Sequence, residues 1–148
     1  MATTAAPLTK SRQTRRETWR FKQFTLKANE TAFKGGLAMY KQADGKVYAG
    51  KTATGYVVIG VFAEDFTSTA DGLVNVDLLE EKNLMWFDNA TSTDAVAATD
   101  FGKVCYPFDD HSVTITSTGA SPAGIVWGVD TVKGVLVEIN KGVVAVAA

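Results

Sequence analysis

The only cysteine and the only histidine of this 148-residue chain fall in one stretch, FGKVCYPFDDHSVTITSTGASPAG, at 101–124. Cys105, Asp109, Asp110 and His111 lie within seven positions, close enough for a thiol and its base, or a set of metal donors, to meet. A Cys–His pair needs the base in hydrogen-bond reach and a third group to orient it. Cys105 and His111 flank a turn, so proximity is available. The nearest charges, Asp109 and Asp110, are negative, however, and do nothing to stabilise a thiolate. In the alternation Val104-Cys105-Tyr106-Pro107-Phe108, Cys105 reads as a small buried hydrophobe of a strand. One His, one Cys and two adjacent Asp lack the repeated spacings of structural zinc sites, and adjacent carboxylates point to opposite faces when extended. Asp109-Asp110 therefore reads as a turn whose side chains accept neighbouring amides, with His111 a solvated loop residue. The expectation is no metal, no cofactor and no catalytic residue.

Other chemistries fit no better. Gly35-Gly36 and Gly55 lack the following helix and lysine of a phosphate loop. Ser121 precedes Pro122, which blocks the strand–turn–helix geometry of a nucleophile elbow. No D-x-D-x-D-G calcium loop is present, and no pair among the acidic residues stands out for glycoside chemistry. Trp86 and Trp127 sit in strand alternations and read as core residues, the alternative being exposed rings that stack on sugars.

The elements that would carry these residues are strands. Short runs rich in Val, Ile, Tyr, Phe and Thr are expected at 37–41, 46–49, 56–66, 73–79, 83–88, 103–108, 112–117, 123–130, 134–140 and 143–146. Ala43-Asp44-Gly45 and Asp71-Gly72 read as hairpin signals. The best helical candidate is STDAVAAT at 92–99, one or two turns capped by Ser, Thr or Asp. Ten short strands without crossover helices predict an all-β fold, a small barrel or sandwich, with at most one short helix. No internal repeat of useful length is legible.

Hydrophobic residues make up 46% and charged residues 21% of the chain, ordinary for a globular domain. The longest apolar runs are far short of the roughly 20 residues of a membrane helix, and no secretory or targeting signal is read at the N-terminus. One cysteine leaves the fold to stand on packing, in keeping with a reducing cytoplasm. The net charge of −1 hides an asymmetry: residues 1–36 carry eight Lys/Arg against two Glu, and the remainder seven against fourteen Asp/Glu. Residues 1–22 thus read as a basic N-terminal arm and 23–148 as the β-rich domain. Arg12, Arg15, Arg16, Trp19, Arg20 and Phe21 combine arginine with aromatic anchors, the composition of an interface. The same arm could contact nucleic acid, but the acidic body would repel it, so neither nucleic acid nor membrane is the expected partner.

The run D-F-G-K-V-C-Y-P-F-D-D-H-S-V-T-I-T, then G-A-S-P-A-G-I-V-W-G-V-D and G-V-L-V-E-I, resembles the C-terminal signature of tailed-bacteriophage head decoration (capsid cement) proteins. The earlier F-K-G-G-L-A-M-Y, G-Y-V-V-I-G-V-F-A-E-D-F and V-N-V-D-L-L are consistent with it, so that the resemblance covers about residues 33–139. It implies a β-tulip-like fold and a non-enzymatic virion protein on the capsid exterior, made in the host bacterial cytoplasm. The implied partners are the major capsid protein and further copies of the chain, commonly as trimers, with the arm adding to or bridging coat subunits. The longer basic arm and the tail at 140–148 depart from the family pattern, and the tail has no assigned role. The alternative is a receptor- or carbohydrate-binding β module of a phage tail or fibre.

Overall fold

The computed structural model describes residues 21–79 and 84–139. Among the described residues, twelve strands build two closed five-stranded barrels and one two-stranded ribbon. The first barrel uses β1 (Phe21–Leu26), β3 (Leu37–Lys41), β4 (Lys46–Ala49), β5 (Tyr56–Phe62) and β7 (Gly72–Asp77), in the order β1-β4-β3-β5-β7. The second uses β8 (Leu84–Asn89), β9 (Val104–Pro107), β10 (Ser112–Thr114), β11 (Gly124–Asp130) and β12 (Gly134–Ile139), in the order β10-β8-β12-β11-β9. β2 (Thr31–Ala32) and β6 (Phe66–Thr67) pair beside the first barrel. The expected all-β fold is present.

The two barrels are the same fold twice. In each, the first strand runs parallel to the third and antiparallel to the fifth, and the second strand lies between the third and fourth. The registers agree residue by residue. Leu26 pairs with Val47 and Asn89 with Val113, and the next amide in each case, Lys27 or Ala90, donates to the same valine's carbonyl. Ala38 lies opposite Gly60 as Cys105 lies opposite Gly124, and Gly35 donates to Phe62 as Gly102 donates to Val126. Gly35 and Gly102 both hold the left-handed conformation, at φ +86° and +84°, where a side chain is disfavoured. A sequence reading finds no repeat because what the halves share is scattered: Phe24/Phe87, Gly35/Gly102, Val47/Val113, Gly60/Gly124, Val74/Val135 and Val76/Val137. Tertiary pairing preserves the register while most side chains diverge.

Each barrel closes on its own core, but the two cores differ in reach. Leu26, Ala38, Val47, Ile59, Phe62, Val74, Val76 and Leu78 fill the first. Phe87, Val96, Cys105, Val113, Val126, Val135 and Val137 fill the second, joined there by Leu37, Met39, Val58 and Val61 of β3 and β5. Strands β3 and β5 are thus buried on both faces, one turned into their own barrel and the other against its neighbour. That explains why YVVIGVF is an unbroken apolar run rather than an alternation.

Most expected strands fall within a residue or two of those observed. The expected strand at 56–66 stops at Phe62, with β6 following separately, and the one at 112–117 stops at Thr114. Ala43-Asp44-Gly45 turns β3 into β4, with Gly45 at φ +72° and the Asp44 carboxylate accepting the Lys46 amide. Asp71-Gly72 is not a hairpin turn. Gly72 opens β7, while Asp71 accepts the Ala28 amide at 2.8 Å and pairs with Lys46 at 2.6 Å, tying β7 to the parallel closure. The helix expected at 92–99 is replaced by two separate 3-10 turns, Ser92–Asp94 and Ala98–Asp100. Asn89 takes both backbone groups of Val96 into side-chain hydrogen bonds, competition that breaks helices. The expected strand at 143–146 lies outside the described residues.

Candidate functional site

The cysteine–histidine reading fails on geometry. Cys105 is fully buried in β9, and burial pushes its thiol up to about 12. His111 turns away to the surface, where its Nδ1 lies 2.8 Å from Asp88 Oδ2 and its Nε2 3.5 Å from Asp109 Oδ2. The Asp88 hydrogen bond, with the charges of Asp109, Asp88 and Asp110 adding to it, raises the imidazole above its ordinary value. Donor atoms of Asp109, Asp110 and His111 come within 4.8 Å of one another, but their geometry is accounted for by the turn. Asp109 Oδ1 accepts the amides of His111 and Ser112 at 2.9 and 2.7 Å, the role expected of it.

This turn is the joint between the barrels. The Asp110 carbonyl accepts the Leu37 amide at 2.7 Å, and the Phe108 carbonyl accepts the Thr52 hydroxyl at 3.0 Å. The approach needs glycine. A Cβ on Gly50 would stand 2.9 Å from the Asp109 carbonyl oxygen, and one on Gly36 3.4 Å from that of Asp110. Ser121, buried beside Pro122, completes the joint by donating to the Ala53 carbonyl at 2.7 Å and accepting the Tyr56 amide.

The surface that stands out is the outer face of the second barrel. Paired residues of neighbouring strands share a face, which sets Val104, Ile125, Glu138 and Leu84 in one outward row and Gly128, Leu136 and Trp86 in the next. Between Val126 and Gly128 the register shifts, making Trp127 an extra residue in β11; such bulges re-aim a side chain. Its indole meets Phe101 edge-on at 5.2 Å and donates from Nε1 to Glu138 Oε1 at 3.0 Å. Lys133 Nζ lies 5.5 Å from the Trp86 ring centroid. Leu84, Trp86, Phe101 and Trp127 remain 42%, 39%, 60% and 37% exposed. The expectation that both tryptophans are core residues is therefore corrected. β8 and β11 turn them outward, a sense of alternation that the sequence alone leaves open.

Of the expected arm contacts, Arg12, Arg15, Arg16, Trp19 and Arg20 lie outside the described residues. Phe21 is half exposed on β1, opposite Asp77, and lines a groove between the barrels with Leu84, Met85 and Leu79. Sequence reasoning missed Phe101 and Leu84, because isolated apolar residues in a loop or at a strand start carry no periodic signal, and Leu136, because the unbroken apolar run Val135-Leu136-Val137 does not show which of its residues faces out. Compared with protein-family models, curated proteins and solved structures, the chain finds no match in any of the three.

Proposed function

We propose that this chain is a structural virion protein that binds the exterior of an assembled tailed-phage capsid and stabilises it. Its partners in this reading are the major capsid protein and further copies of itself, as a trimer. The observation that carries the reading is the uncovered aromatic and aliphatic face of the second barrel, since contiguous apolar surface on a folded protein marks an interaction site. The likeness of residues 100–139 to head decoration proteins supports it, as does the charge asymmetry between residues 1–36 and the rest. Arg12, Arg15, Arg16, Trp19, Arg20 and Phe21 are the arm contacts of this reading, positive charge and aromatic anchors meeting an acidic coat. Because both barrels are closed, they offer the arm no free strand edge, and strand addition in this reading uses an edge on the coat. Nothing in the role calls for catalysis.

The test is binding to particles of the encoding phage grown without the protein, observed by electron microscopy. The full chain decorates the shell, and a chain lacking residues 1–20, a deletion that spares all of β1 (Phe21–Leu26), folds but does not bind. Undiminished binding by the shortened chain removes the arm from the account, and an undecorated shell with the full chain removes the function.

The half-exposed Trp86 and Trp127 on one face also favour the alternative, a carbohydrate- or receptor-binding module of a tail or fibre, because indole faces stack on sugars. Saturable quenching or shift of tryptophan emission on adding oligosaccharide, lost in Trp86→Gln, would establish that role instead.

A further inference from the structure

The duplication supplies an internal control for the second barrel's outer face. Register places Gln23 where the second barrel has Trp86, and Asn75 where it has Leu136. Lys34, next to Gly35, stands where Phe101 precedes Gly102, and Trp127 is an insertion with no counterpart. The same fold therefore tolerates polar residues at these positions, and the apolar set on the second barrel is not required to close it.

We propose that this face, from Leu84 across Trp86 and Leu136 to Trp127 and Phe101, is the self-association surface of the chain and is covered by a second copy. Three observations select that occupant. First, the β9–β11 face that adjoins the patch has as its first-barrel counterpart the β3–β5 face, which a barrel of this fold already covers within the chain: Leu37, Met39 and Val61 of the first barrel pack against the second. Their counterparts Val104, Tyr106 and Ile125 are only partly buried. Secondly, the patch is continuous with that internal interface, since Leu84 lines the groove between the barrels opposite Phe21 and Val61. Thirdly, its flanks carry charge of both signs, Lys133 over Trp86 and Glu138 beside Trp127, so a neighbouring copy can meet it without like-charge conflict.

The contact between copies differs from the one within the chain. Gly36 and Gly50, which admit the Asp109-Asp110 turn, correspond to Lys103 and Thr116, whose side chains block such an insertion. The intermolecular contact is therefore made by flat aromatic packing, with Trp86 and Trp127 as anchors of the kind that dominate interfaces. A stable interface covers about 800 Å² on each partner, so the named residues form its centre. The proposal rests on the reading above only for the expectation of an oligomer.

The experiment transplants the first barrel's residues onto the second: Trp86→Gln, Leu136→Asn and Phe101→Lys together, in the full chain. Sedimentation velocity and light scattering from about 1 to 100 µM measure assembly. Circular dichroism and the urea midpoint check folding, and Leu73→Asn, at an exposed position of β7, is the control. The wild type and control assemble, and the triple variant, folded, dissociates with a constant raised about a hundredfold or more. If the triple variant unfolds, Leu136→Asn alone gives the same reading with a smaller shift. A wild type that stays monomeric at about 100 µM, or a folded variant that assembles like it, overturns the proposal. A variant that assembles normally but no longer decorates particles assigns the face to the coat, which overturns self-association and keeps the capsid function. A wild type that assembles through this face and binds no particle does the reverse.

Discussion

Gly60→Ala and Gly124→Ala test the duplication and the fold at once. A Cβ on Gly60 would stand 2.0 Å from the Asp77 carbonyl oxygen and 3.1 Å from Leu78 Cα. One on Gly124 would stand 2.0 Å from the Glu138 oxygen and 3.1 Å from Ile139 Cα. Real contacts of this kind begin near 3.0 Å, so β5 must part from β7, or β11 from β12, by about 1 Å. A ladder hydrogen bond lengthened that far is no longer one. Two such bonds at about 1 kcal/mol each, with about 1–3 kcal/mol of overpacking, give a loss of about 3–5 kcal/mol for either variant. Gly55→Ala and Gly119→Ala serve as controls, since open space surrounds both and only their φ of +84° and +67° is strained, at about 1–2 kcal/mol. Urea denaturation followed by far-UV circular dichroism measures all four. The core shared between the barrels further requires one cooperative transition. A cost below about 1 kcal/mol for either principal variant, losses differing by more than about 2 kcal/mol between them, or two separate transitions, would refute the reasoning.

Other expectations follow from single groups. With its thiol near 12 against an ordinary 9.0, Cys105 holds about a thousandfold less thiolate at pH 8 than a free cysteine; disulfide-exchange labelling should proceed only through unfolding, and rapid labelling of the native protein contradicts its burial. Gly50→Ala places a Cβ 2.8 Å from that of Leu37, so it should cost about 1–3 kcal/mol and accelerate hydrogen exchange at the Leu37 amide, which donates to Asp110; unchanged exchange there would show that the turn is not the joint. The His111 imidazole should titrate above 6.5, and Asp88→Asn should bring it down, as followed by its proton resonances. Because the folded value is raised, the pair's stabilisation is complete below about 6.5 and is lost as pH rises through the folded value. Its exposure keeps that stabilisation to about 0.2–0.5 kcal/mol, and a His111 value at or below 6.5 removes the interaction.

Strand positions were legible because each run is bounded by Gly, Asp or Asn turns, and the Asp109 turn was legible because its carboxylate has short-range amides to accept. The duplication was not. Its marks are single residues, such as Gly60 and Gly124, whose meaning lies in a partner strand 14 or more positions away. The direction in which Trp86 and Trp127 point was also hidden. Period-2 alternation gives two faces without saying which is inside, and the bulge at Trp127 breaks the count. Residues 92–99 misled for a different reason: their local signals are those of a helix cap, but Asn89 and the Asp94 carbonyl, which accepts Ile115, hold the segment to the barrel.

The double burial of β3 and β5 has a consequence for biosynthesis. Residues 21–79 contain every strand of the first barrel, which can close as soon as β7 leaves the ribosome. Leu37, Met39, Val58 and Val61 then face water until β8–β12 have been made. At about 5–20 residues per second, translating the second barrel takes roughly 3–12 s, during which an apolar strip on a folded half awaits its cover. Early termination beyond β7 would leave that strip permanently bare, and such fragments would be clients for chaperones or seeds of aggregation.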